Sequence, residues 1–92
     1  MIHLIMSSPF LTQDLEQALQ YRNQGDALVL MQDAVVAAVS PLWQAKLADE
    51  RLYVMNEDLL ARGLGEGSGL SLTMTGLVAL IEAEGSPHSW SC

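Results

Sequence analysis

Leu52-Tyr53-Val54-Met55-Asn56-Glu57-Asp58-Leu59-Leu60-Ala61-Arg62-Gly63 reads as a strand that runs straight into a short helix. Its first four residues are apolar or aromatic, the types that suit a buried pleated surface. Asn56 is placed to accept a backbone N–H at the helix start, Glu57 and Asp58 lie where the helix dipole favours negative charge, and Gly63 can take the left-handed conformation that ends a helix. By itself the stretch specifies strand, turn and helix.

The same grammar recurs on either side of it. Ile2 to Met6 is a nearly continuous apolar run closed by Ser7-Ser8-Pro9, the pattern of a strand buried on both faces. Thr12 offers a helix cap, and Leu15, Ala18 and Leu19 then fall on one helical face up to about Asn23. Gly25-Asp26 breaks that helix, and Ala27 to Met31 is a second apolar run. Asp33 to Val39 predicts a short helix capped by Asp33, stopped by Pro41, with Leu42 to Glu50 either helical or a surface connection. Gly63 to Gly69 holds four glycines in seven residues, and after it come a weak strand from Leu70 to Thr73 and a helix from a Thr75 cap to about Glu84 with Leu77, Val78 and Ile81 inward. His88 to Ser91 forms a last extended piece. Apolar strands alternating with helices over one domain, residues 1–92, predict an α/β three-layer sandwich: a mainly parallel sheet of four or five strands with helices on both faces.

Composition narrows the function. The 92 residues bury roughly 60–65% of the unfolded chain's surface. Half are hydrophobic and only 16% charged, against about 25% in a typical domain, so an interface is expected to absorb the surplus. Eleven acids against four bases (Arg22, Lys46, Arg51, Arg62) give a net charge of −7, which disfavours direct binding to nucleic acid. No apolar run approaches the roughly 18 residues of a membrane span, and the first six residues lack the basic start of a signal peptide. A lone cysteine, Cys92, rules out an internal disulfide and suits the reducing cytosol.

Candidate chemistry is sparse. Ser7 and Ser8 follow the first strand and Asp33 the second, at the sheet edge where α/β proteins hold ligands, so a small anion could sit there. The stretch lacks phosphate-cradling glycines and Pro9 removes a donor, so turn formation by the serines and helix capping by Asp33 are the preferred roles. His3, His88 and Cys92 have no metal-ligand spacing, and His3 within a strand reads as a hydrogen-bonded structural residue. No nucleophile elbow supports a hydrolase. Cys92 has neither a helix N-terminus nor a base in sequence to lower its pKa. No cofactor motif is present. Trp43 and Trp90, with Tyr21 and Tyr53, are the aromatic surfaces from which interfaces are built, and Trp43 and Trp90 are the candidate interface residues.

Taken in order, His3-Leu4-Ile5-Met6-Ser7-Ser8-Pro9-Phe10, Gln32-Asp33-Ala34-Val35, the Asn56 to Gly63 stretch and Ser89-Trp90 resemble the TusB/DsrH family of sulfur-relay subunits over nearly the whole chain. The resemblance implies a non-catalytic subunit that joins TusC/DsrF-type and TusD/DsrE-type paralogues in a cytosolic hetero-hexamer. In the Tus branch the relayed persulfide sulfur serves 2-thiolation of the wobble uridine of tRNA, and in the Dsr branch it serves sulfur oxidation. DsrH-type members carry a cysteine in the first helix, at the position of Ala18 here, which favours the Tus branch. Thr73-Met74 stands where relatives often have aspartate and an aromatic residue. The alternatives are a small sulfurtransferase using Cys92 and a flavodoxin-like module binding an anion at Ser7, Ser8 and Asp33. Whether the isolated chain self-associates is left open by the sequence.

Overall fold

A computed structural model describes residues 1–65 and 67–90. Five strands, β1 (Ile2–Ile5), β2 (Ala27–Leu30), β3 (Arg51–Met55), β4 (Leu70–Leu72) and β5 (His88–Trp90), form one all-parallel sheet in the order β4-β3-β2-β1-β5. Between them lie α1 (Asp14–Tyr21), a 3₁₀ helix (Gln32–Val39), α2 (Pro41–Lys46), α3 (Asn56–Ala61) and α4 (Met74–Glu84). The α/β reading with a parallel sheet and helices on both faces holds.

Handedness explains which helix lies where. The chain steps from β1 to β4 in one direction, and right-handed crossovers then put every intervening helix on the same face. On that side Leu15 and Ala18 of α1, Ala34, Val35, Ala37, Ala38, Trp43 and Leu59 pack against Ile5, Leu28, Leu30, Leu52 and Val54. The final step runs back past β1 to β5, so α4 falls on the opposite face, where Leu77 packs on Ile2, Leu4, Ala27, Val29 and Met55. One face of the sheet thus carries four helical segments and the other a single helix.

The helix starts differ from the expected caps. At α3 the strand gives way to the helix without a spare residue, so Met55 holds the cap position and Asn56 lies inside the first turn, with no side-chain cap. The 3₁₀ helix likewise starts from Met31 in extended conformation, and Asp33 caps nothing. In α4 the capping threonine is Thr73 and not Thr75: its Oγ1 accepts the Gly76 N–H at 3.1 Å. Thr12 Oγ1 makes only a long contact of 3.4 Å with the Asp14 N–H, one residue outside the cap of α1. Gly63 does adopt a left-handed φ of 67° just past α3, as its position predicted. Gly67 is needed for a different reason: a β-carbon there would lie 2.1 Å from the Ala38 carbonyl oxygen, beside the hydrogen bond from Ser68 N–H to that same oxygen.

Candidate functional site

Three places could carry function: the carboxyl edge of the sheet, the β1–β5 margin and the outer face of α4. At the carboxyl edge, Ser8 is nearly buried and closes a turn, its Oγ accepting the Phe10 N–H at 3.2 Å and its carbonyl those of Leu11 and Thr12. Ser7 is engaged as well. Asp33 points to solvent and accepts two hydrogen bonds from Arg62, at 2.9 and 3.2 Å. Asp58 bonds the backbone N–H of Gln32, which sits at a positive φ of 50°. Its carboxylate compensates a donor that the unusual backbone turns away from the ladder. The cleft of about 320 Å³ beside this edge is lined by Val54, Leu59 and residues 67–71, and includes none of Ser7, Ser8 and Asp33.

At the β1–β5 margin the side chains form a chain of hydrogen bonds. Trp90 Nε1–H donates to His3 Nδ1 at 3.1 Å, and His3 Nε2 meets Asp26 Oδ2 at 2.8 Å. Because an indole N–H can only donate, His3 Nδ1 must accept, which assigns the ring proton to Nε2 and makes Asp26 its acceptor. Asp26 also accepts the Asn23 N–H at 3.0 Å and pairs with the Met1 ammonium at 3.0 Å. These bonds, that from His3 foremost, hold the Asp26 carboxyl far below the usual carboxylate range despite its burial. Tyr21 and His88 complete an aromatic cluster around Trp90, with His88 and Trp90 ring centroids 4.9 Å apart. His3 is wholly buried, so the network fixes the last strand to the first. Among the described residues no group of three His, Cys, Asp or Glu side chains converges as metal ligands.

The expected aromatic surfaces separate. Trp90 is partly buried against its own core. Trp43, expected at an interface, is a correction: it is 5% exposed, because α2 begins at Pro41 and turns it inward with Lys46 Nζ 4.6 Å from the ring centroid. Cys92 lies outside the described residues.

The outer face of α4 is the feature that sequence reasoning missed. Val78, assigned above to the buried stripe, is 49% exposed, and Met74 one turn earlier is 52% exposed. From Met74 to Ile81 the helix has no charged residue, so it lacks the polar outer face that a helix on a sheet normally shows. Leu70 of β4, with the register of Tyr53 and on the same side of the sheet, is also exposed. All four Lys and Arg side chains are committed to ion pairs within the chain: Arg22 to Glu50, Lys46 to Glu16, Arg51 to Glu84 and Arg62 to Asp33. No helix among the described residues is long and apolar enough to cross a membrane.

An all-parallel five-stranded sheet with one helix on its second face, and no assembled catalytic cluster among the described residues, defines a small α/β protein whose surfaces are more notable than its chemistry. The chain belongs to the family described as DsrH like protein, whose pattern matches residues 7–86. It is 38% identical over 96 aligned positions to Protein TusB of Escherichia coli O81 (strain ED1a), covering 98% of this chain and 100% of that one. The same identity and coverage hold for Protein TusB of Shigella boydii serotype 18. In structure it is similar to Tm0979 from Thermotoga maritima, solved by solution NMR, with a TM-score of 0.68, 21% identity, and coverage of 91% and 94% of the two chains. That last likeness concerns the fold.

Proposed function

We propose that this chain is a non-catalytic subunit of a TusBCD-type sulfur-relay complex that supports 2-thiolation of the tRNA wobble uridine in the cytoplasm. Its partners are then TusC- and TusD-type paralogues in a hetero-hexamer, the TusD-type subunit carrying the sulfur. The observation that carries this reading is Ala18. At the position where DsrH-type relatives have their cysteine, α1 offers a methyl group wholly buried in the core, so no thiol is available there to accept sulfur. Similarity to TusB over 98% of the chain supports the Tus branch over the Dsr branch.

The test is complementation of a strain lacking its own TusB, with tRNA thiolation read by mobility in a mercury-containing gel. Cys92→Ser should restore thiolation as well as the wild type does. Loss of thiolation by that variant, with the complex still assembled, would instead make this chain a sulfurtransferase acting through Cys92.

A further inference from the structure

We propose that the outer face of α4 is a docking surface for a protein partner that offers an apolar anchor flanked by lysine or arginine. This rests on the subunit reading above and adds to it the face used and the chemistry of what covers it. Met74 and Val78 are one helical turn apart, so they form a single exposed ridge, and Glu82, exposed, continues the same line one turn further. At the other end of the ridge, Glu57 Oε1 accepts the Met74 N–H at 3.4 Å, which places a second carboxylate there. The ridge is therefore apolar in its middle and acidic at both ends.

Among the described residues neither Glu57 nor Glu82 has an ion-pair partner, while every Lys and Arg is already paired elsewhere in the chain. What remains to attract a partner is negative. A second copy of this chain would bring the same two carboxylates and no uncommitted cation, so packing α4 on α4 sets like charges against each other. A basic-flanked apolar face answers both features of the ridge: it covers Met74 and Val78 and neutralises Glu57 and Glu82. Methionine at the exposed end suits such contact, since its flexible thioether adapts to a facing surface.

The experiment co-expresses the tagged chain with its TusC- and TusD-type paralogues and measures their recovery, for the wild type, Val78→Asp, and the double variant Glu57→Lys/Glu82→Lys. Both variants should lower recovery by about tenfold or more. Wild-type recovery should also fall as salt rises above about 0.15 M, because exposed pairs at the rim are screened. Thermal melting of Val78→Asp alone should match the wild type, since Val78 is exposed, and the double variant should melt only slightly lower, having lost the long 3.4 Å bond from Met74 N–H to Glu57. The double variant leaves Met74 and Val78 in place and keeps the test valid if Val78→Asp misfolds. Undiminished recovery with both variants overturns the proposal and leaves the subunit reading standing. Failure of the wild type to recover either paralogue overturns the subunit reading and the proposal with it. A homodimer in sedimentation that Val78→Asp dissolves would also overturn it, in favour of a second copy.

Discussion

Asp26→Asn tests whether the β1–β5 margin is held by a charge or only by shape. The carboxylate takes three donors, His3 Nε2–H at 2.8 Å and Asn23 N–H at 3.0 Å through one oxygen and the Met1 ammonium at 3.0 Å through the other. An asparagine can keep the first two with its carbonyl, but as neutral bonds, and it must then turn an NH₂ toward the ammonium. A hydrogen bond to a charged group contributes about 1.5–3 kcal/mol and a neutral one about 1 kcal/mol, so the loss should be about 2 kcal/mol. With a urea slope near 1 kcal/mol/M for so small a domain, the unfolding midpoint should fall by roughly 2 M at pH 7. The pH dependence has a definite sign. Because folding depresses the Asp26 pKa, its stabilisation is complete above the unfolded value of about 4 and is lost as pH falls toward the folded value. The gap between wild type and variant should therefore narrow steadily below about pH 4. A gap below about 0.5 kcal/mol at pH 7, or one that stays constant down to pH 3, would refute the reasoning.

Trp90→Phe keeps an aromatic ring but removes the indole donor, leaving His3 Nδ1 without a partner in a fully buried ring. It should cost about 1–3 kcal/mol in urea unfolding, while ¹⁵N spectra of the imidazole should show the single Nε2–H tautomer in both proteins, because Asp26 still accepts that proton in the variant. The glycine loop gives a contrasting pair. Gly63→Ala should cost about 1 kcal/mol, from backbone conformation alone, since a β-carbon there meets nothing within 4 Å. Gly67→Ala, which drives a β-carbon into the Ala38 carbonyl, should cost about 2–3 kcal/mol, and equal midpoints for the two would contradict this account.

The first two strands were legible because each is an apolar run closed by turn-forming residues, and β3 because Leu52 to Met55 is an apolar run leading into a helix. Helix starts were less so. Asn56, Asp33 and Thr75 all have side chains able to cap, but capping also requires the extended backbone that Met55, Met31 and Thr73 supply. Val78 was misplaced for another reason: in a helix apolar nearly all round, periodicity gives no sign of which side faces the sheet. His3 was correctly expected to be hydrogen-bonded, but its partners could not be named from sequence. Asp26 becomes its neighbour only through the β1–β2 register, and Trp90 only through the pairing of β1 with β5. Trp43 carries no signal that distinguishes a core tryptophan from an interface one. Among the anion-site residues, Ser8 acts as the expected turn former, whereas Asp33 serves Arg62.

The Trp90–His3 bond joins residues 87 positions apart, so the β1 margin is among the latest parts of the fold that synthesis can complete. Until β5 arrives, Ile2-His3-Leu4-Ile5 is an apolar strand with an unpaired outer edge, free of charge or proline, and such an edge recruits other strands. The nascent or partly unfolded chain is therefore sticky at its amino-terminal strand for as long as its carboxyl-terminal strand is undocked. Loosening β5 would lower solubility before it greatly lowered helix content, and expression at low temperature, which slows aggregation of partly folded chains, should favour variants at Trp90 or His88.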